Sequence, residues 1–410
     1  MRLTHLLIVL ICITRITFAQ SAITIEEAIE TALKHNLNIQ RSLTDLKISE
    51  TELQESKQLP NPLFAYERED LKYNESKVNE WSATGSLPLN FLWNRWSNIG
   101  SKEKNLEAQK LSLQNQRLIT EYDVREEYFS LHKYSNLIKS LEIIDNKLND
   151  IYEFSDVRYK NGDISGYDKQ RISIELNSLK SFIADTKIHQ IKHETNLGIL
   201  IGQEIPDGML TSISENNFDG EFDEKKSINF ALKNRPDLRA LAKSLESETE
   251  FLSHNKTNII PNINLSAGYK ENSELYKGSI IAVDFEIPLF NRNQKEIDES
   301  EIRINFLKKK KNLSEQKIKR EVIESIKDYN INLSVFNEFK SIHPFEIFDV
   351  STTSYTEGEI SLVEFIDGIK ASVEGIILKS DSELKLYGSY MSVHRAIGKS
   401  LLSDNNLGVE

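Results

Sequence analysis

Apolar residues recur along this chain with two different periods, and the alternation between periods happens twice. Between Asn94 and Arg158, Leu106, Leu113, Tyr134, Leu141 and Leu148 share one heptad phase. Val124, Leu131, Ile138 and Tyr152 fill a second phase four residues on, which is coiled-coil spacing. Lys110, Arg117, Thr120, Glu127 and Asp145 interrupt it, so the seam is imperfect. The pattern predicts a helix of roughly 90 Å at about 1.5 Å per residue, returning antiparallel over Tyr167 to Leu200. A second pair is predicted from Gln294 to Tyr355 and from Ser361 to Leu402, with Pro344 kinking or breaking the first rod.

The other period is two. "NPLFAYERED", "EWSATGSLPL", "NINLSAGYKE" and "IIAVDFEIPL" are each ten residues long. Phe64 and Tyr66 alternate with Ala65 and Glu67; Val283, Phe285 and Ile287 alternate with Asp284 and Glu286. Strands of this length, apolar on one face and polar on the other, suit a membrane barrel with a wet lumen. Solvent-exposed hairpins would show the same alternation.

The second half of the chain answers the first. Ala32-Leu33-Lys34 falls on Ala231-Leu232-Lys233, Pro60 on Pro261, Pro88 on Pro288 and Gly162 on Gly358, at offsets of 199, 201, 200 and 196. Four landmarks in one order at a near-constant offset mark a duplication. The expected organisation is a signal peptide over residues 1–19 and a first repeat over 20–205. A linker over 206–223 and a second repeat over 224–410 follow. Strands are expected at about 61–70, 80–89, 262–271 and 280–289, and hairpin tips at about 159–167 and 355–363. The fold class is therefore mainly α with a small β contribution. Each repeat is a helix, a β-hairpin and two long antiparallel coiled-coil helices. Four strands neither close a barrel nor hide their edges from lipid, so several copies must share one barrel. Two copies give eight strands and three give twelve.

Composition narrows the partners. The chain has 410 residues, 39% hydrophobic and 28% charged, with 8 prolines, which favours long uninterrupted elements. "MRLTHLLIVLICITRITFAQ" reads as a secretory signal, with Arg2 before the apolar run Leu6 to Ile13 and a small-residue site ending at Ala19. Cys12, the only cysteine, lies inside it, so no disulfide or thiolate metal site is expected. Cleavage after Ala19 removes Arg2 and Arg15, taking the formal charge from −12 to −14, which argues against nucleic acid. No stretch has the apolar length of a transmembrane helix. His189 and His193, spaced i, i+4, lack an evident third ligand, and a solvated helix face is the expected reading. With 3 methionines, a methionine-lined copper path is not expected. No nucleotide-binding or nucleophile motif is present, so no catalytic residues, metal sites or cofactors are expected.

These landmarks, "TIEEAIETAL", "NRPDLRAL", "PNINLSAGY", "IPLFNRNQ" and the twice-occurring Tyr-x-x-Gly-acid-Ile-Ser, together resemble the TolC-like outer-membrane efflux proteins over essentially the whole mature chain. "IPLFNRNQ" further resembles the branch serving cobalt–zinc–cadmium and copper–silver efflux. The resemblance implies a homotrimer, with a 12-stranded barrel in outer-membrane lipid above an α-helical tunnel. It implies two partners, a periplasmic adaptor (membrane fusion protein) and an inner-membrane pump of resistance-nodulation-division type.

On this reading the tips carry Tyr159, Gly162 and Ile164, and Tyr355, Gly358 and Ile360, as adaptor-docking residues. Phe64, Tyr66, Val283, Phe285 and Ile287 face lipid. Asp168, Glu364 and Asp367 fall where the family places acidic residues around the periplasmic entrance. The capping-box pattern Ser361 to Glu364, and its near match Ser165 to Asp168, offers Glu364 and Asp168 a purely local role. The family's basic residue two after the tip glycine is here Ile164 or Ile360, which puts a salt-bridge lock in doubt. Rival readings are the exit duct of a type I protein secretion system, a periplasmic adaptor, and a coiled-coil scaffold without a pore. An adaptor would carry one helical hairpin flanked by small β domains, and a scaffold would not need alternating strands.

Overall fold

A computed structural model describes residues 23–74, 76–205, 218 and 220–402. The expected signal peptide with Cys12, and residues 206–217 and 219 of the expected linker, lie outside the described residues. The elements in order are α1 (Ile25–His35), α2 (Leu37–Ser56), β1 (Leu63–Tyr73), β2 (Ser76–Pro88), α3 (Phe91–Asn161) and α4 (Gly166–Ile201). There follow α5 (Glu224–Asn234), α6 (Pro236–Thr257), β3 (Ile263–Asn272), β4 (Lys277–Phe285), α7 (Gln294–Phe339), α8 (Pro344–Glu357) and α9 (Leu362–Ile397). The order helix, helix, strand, strand, long helices thus occurs twice. The rod expected from Gln294 to Tyr355 is two helices, because Pro344 occupies the first turn of α8. Ser372 Oγ donates to the Pro344 carbonyl at 2.7 Å, and a Cβ on Gly375 would lie 3.1 Å from the Pro344 ring. Both α9 residues make room for the break.

The chain divides into two compact units, one of residues 1–40, 117–231 and 320–410, the other of 41–116 and 232–319. The second unit holds a single antiparallel sheet in the order β1-β2-β3-β4. Tyr66 stands opposite Ala83, Ala83 opposite Tyr269, and Leu265 opposite Val283. β2 starts at Ser76, four residues before the expected 80, because the first hairpin pairs fully down to its turn. β4 ends at Phe285, four before the expected 289. β2 is held on both sides as far as Ser86 and by β3 on to Pro88, whereas β4 has a neighbour on one side only. Ile287, expected on the strand, therefore lies beyond it. Next to the sheet, side-chain amides join Asn90, just before α3, to Asn262, just before β3, and Asn94 of α3 to Asn258 at the end of α6, both at 3.1 Å.

In the first unit the core runs in layers. Ala28, Ile29 and Ala32 of α1 pack on Val124, Tyr128, Leu197 and Ile201. Thr24 and Glu27 form a capping box that starts α1. A second cluster joins both helical hairpins, with Leu141, Ile144, Leu148, Ile172 and Leu176 against Phe348, Tyr355, Phe365 and Ile369. Each of the leucines and isoleucines on α3 here belongs to the heptad face or lies beside it, and burying one contributes about 1.5–3 kcal/mol. Among the polar residues that interrupt the predicted seam, Glu127 pairs with His193 and Asn196, whereas Asp145 Oδ1 is buried without a partner. Glu121, 1% exposed, accepts from Arg125 Nε at 3.0 Å, Ser400 Oγ at 2.6 Å and the Leu401 amide at 2.9 Å. That network fastens the segment after α9 onto α3.

Candidate functional site

Two features of this molecule bear on function: the paired hairpin tips and the two-faced sheet.

Each tip is built from the same short sequence. Gly162 (φ +84°) and Gly358 (φ +78°) take left-handed conformations that a side chain would strain by roughly 1–2 kcal/mol. In each, the amide after the glycine donates back into the last helical turn, Asp163 to Arg158 O at 2.9 Å and Glu359 to Ser354 O at 2.8 Å. Ser165 and Ser361 then start the next helix, accepting from the Asp168 and Glu364 amides at 3.1 and 3.3 Å. Asp168 and Glu364 reciprocate by accepting from the serine amides at 3.2 and 2.8 Å. So both carboxylates cap helices. The Ser361 amide and hydroxyl hold the Glu364 carboxyl below its usual range. Asp367 is exposed and takes no part in the cap.

The tips differ in what fills this shared backbone. Tyr355 is buried and stacks on Phe365, while at the matching place in the first tip Lys169 Nζ lies 5.3 Å from the ring centre of Tyr159. Lys169 and Lys160 both pair with Asp156, holding its carboxyl down at about 2. Burial raises the Tyr355 phenol while Arg158 opposes the rise. Ile360 packs against the shared core and Ile164 is half-buried. The exposed apolar residues are instead Phe154, Val157, Tyr159 and Tyr167 on the first tip and Val350 and Val363 on the second. Periodicity offered a signal for them, since Phe154/Val350 and Tyr167/Val363 are 196 residues apart like the glycines. Charge diverges as well. Residues 154–171 carry Arg158, Lys160, Lys169 and Arg171 against Asp156, Asp163 and Asp168, a net +1. Residues 350–367 carry Glu357, Glu359, Glu364 and Asp367 and no base, a net −4.

In the sheet, registers assign every side chain to a face. Phe64, Tyr66, Trp81, Ala83, Leu87, Leu265, Ala267, Tyr269, Ile281, Val283 and Phe285 share one face. Phe64, Tyr66, Val283 and Phe285 are each more than half exposed, as is Ile287 beyond the strand. Trp81 lies between Tyr66 and Tyr269, with centroids at 6.2 and 5.8 Å. This aromatic row marks where the apolar band gives way to Arg68, Asp70, Asn79 and Glu271 toward the hairpin turns. Glu67, Glu69, Glu80, Ser82, Thr84, Ser266, Lys270 and Asp284 occupy the other face, where Lys270 pairs with Glu80.

His189 and His193 both stack on Tyr134, at 5.6 and 5.2 Å, and His193 pairs with Glu127 at 2.7 Å. Among the described residues no group of three His, Cys, Asp or Glu is placed to hold a metal ion. Among the same residues no helix is long and apolar enough to cross a membrane.

No protein-family profile and no curated protein matches the chain. Solved structures do. The chain is similar to CusC, described in terms of folding and transmembrane channel formation, with a TM-score of 0.76, 16% identity and 92% of each chain covered. It is similar to the Campylobacter jejuni CmeC outer-membrane channel (TM-score 0.74, 14% identity, 91% of this chain and 85% of that one). It is also similar to the open state of the Neisseria gonorrhoeae MtrE outer-membrane channel (TM-score 0.73, 13% identity, 92% and 89%). The fold is that of the TolC-like outer-membrane channels, the one implied by the sequence resemblance.

Proposed function

We propose that this chain is the outer-membrane exit duct of a tripartite efflux system. The observation that carries the reading is the sheet: one face exposes an apolar band bounded by an aromatic row, the other is polar, and both edges are unpaired. A soluble protein gains nothing from such a face, whereas a barrel wall in lipid needs it. Copies of the chain share one barrel, three of them giving twelve strands. Phe64, Tyr66, Val283 and Phe285 face the acyl chains, and Ile287 sits at the rim. The long helices form the periplasmic passage. The duct is passive and has no catalytic residue.

The hairpin tips dock the periplasmic adaptor, and an inner-membrane pump supplies the energy. Backbone similarity of the two tips supports Gly162 and Gly358 as the framework of that contact, with Tyr159 and Ile164 beside the first. Tyr355 and Ile360 support the second from within the core. Asp168, Glu364 and Asp367 gate the entrance; among them Asp367 is the carboxylate free of a capping role. Carboxylates crowded near a symmetry axis favour cations, so metal cations or small cationic toxins are the proposed cargo.

The test is single-channel recording of the purified protein in a planar bilayer. Discrete, cation-selective currents support the duct. Absence of current both alone and with the adaptor would return the chain to the scaffold reading.

A further inference from the structure

The open sheet carries the instructions for its own continuation. In the seam between the two hairpins, the Leu89 amide donates to Ile263 O at 2.7 Å and the Ser273 amide to Asn79 O at 2.7 Å. In β2, odd-numbered residues therefore bond toward β3, and even-numbered ones toward β1. The Glu286 amide donates to Asn262 O at 3.2 Å, so even-numbered positions on the β4 side bond toward β3. Antiparallel ladders alternate in this way. What remains is an outward row of backbone groups on Phe64, Tyr66 and Arg68 of β1, and another on Ile281, Val283 and Phe285 of β4. Both rows belong to residues of the apolar-band face. The two edges thus match in hydrogen-bonding phase and in facing, as β2 and β3 already do.

We propose that β4 pairs antiparallel with β1 of a second copy of this chain, with Phe285 opposite Phe64 and Val283 opposite Tyr66. This rests on the exit-duct reading above and adds the register. Two arguments select it. The first is the repeat. Taking Pro60-Asn61 and Pro261-Asn262 as equivalent points, and keeping the observed hairpin registers, the seam between β2 and β3 maps onto this pairing, whereas taking Pro88 and Pro288 as equivalent shifts it by two and sets Asp284 opposite Glu67, the register that the charge argument rejects. The second is charge. On the polar face Asp284 then stands opposite Ala65, and Glu67 opposite Ala282. A slip of one residue turns the apolar band against the polar face. A slip of two in one direction puts Asp284 opposite Glu67, and a slip of four adds Glu286 opposite Glu67 with Asp284 opposite Glu69, like charges that oppose pairing.

Asp284 and Ala65 form a non-hydrogen-bonded pair, whose Cα atoms approach to about 4.5 Å, inside the span of a disulfide. The experiment is oxidation of full-length C12S protein in liposomes, followed by non-reducing electrophoresis. D284C/A65C is expected to give covalent multimers, and D284C/E67C to give far fewer, at least fivefold. S86C/S266C, opposite one another in the β2–β3 seam, reports by an intramolecular bond that the sheet has formed. Multimers from D284C/E67C but not D284C/A65C overturn the register and leave the shared sheet standing. Multimers from neither, with the S86C/S266C bond present, overturn the pairing. Conductance of C12S separates those outcomes from failure of the duct itself.

Discussion

Tyr355 lies flat on Phe365, ring centroids 4.5 Å apart and planes within 10°. The stack closes the second hairpin over the core that joins the helical pairs. Phe365→Ala removes a fully buried ring and is expected to cost about 3–5 kcal/mol, read as a lower unfolding midpoint in denaturant. Lys169→Ala, which removes the half-buried cation contact and ion pair at the matching place in the first tip, is expected to lower the midpoint far less. Equal losses at the two sites would contradict the packing described.

Glu364→Ala with Asp367→Ala removes two of the four carboxylates of the second tip. The double variant is expected to conduct more and to lose cation selectivity in single-channel recordings. Asp367→Ala alone should give most of the selectivity change, because Glu364 is engaged with Ser361. Unchanged current in both variants would leave these residues with structural roles only.

Glu364 also predicts a pH effect. Its carboxyl is held below the ordinary value of 4.5, so the cap is fully formed above that pH. Its contribution is lost as pH falls through the lowered value. Protection of the first turn of α9 against hydrogen exchange, taken relative to the intrinsic rate at each pH, should fall in the wild type as pH drops below the ordinary carboxylate range and stay constant in Glu364→Gln, whose amide does not ionise.

His394 predicts a second, at higher pH. Its ring is buried against Phe222 and Tyr390, both ring nitrogens lack partners, and Lys399 and Arg125 add positive potential. Burial, the largest cause, lowers it from 6.5 to about 4. The unfolded chain therefore binds a proton that the folded one refuses. Stability is full above pH 6.5 and falls by up to about 3 kcal/mol toward pH 4. Denaturation midpoints across that range should slope for the wild type and lose this part of the slope in His394→Phe.

Glu121→Ala strands Arg125 in a buried position and releases Ser400 and Leu401. A loss of about 3–5 kcal/mol is expected, with proteolysis appearing first after α9. Cleavage after α9 at the wild-type rate would argue against the tether.

Much of this was legible in the chain. The heptads of α3 and the alternation around Phe64 and Val283 report burial directly, since each period has one geometric meaning. The glycine turns and capping boxes are local and repeat. What stayed hidden depends on neighbours. Ile287 continues the alternation but lies past the end of β4, because strand length is set by pairing and not by pattern. Tyr159 and Tyr355 are the same letter in the same motif, yet one is exposed and the other buried. The difference comes from Lys169 and Phe365, ten residues further on. Gly398, left-handed like Gly202, stands 196 residues beyond it and was as readable as the tip glycines.

The opposite charge of the two tips changes what a docking partner can sense. The proposed trimer would present six hairpins of nearly one backbone shape, with the sign of their charge alternating from one to the next. By contour the end of that proposed duct would be six-fold; by electrostatic potential it would be three-fold. A partner built of six identical subunits meets attraction and repulsion in turn, so its neighbours must seat differently or pair up before they arrive.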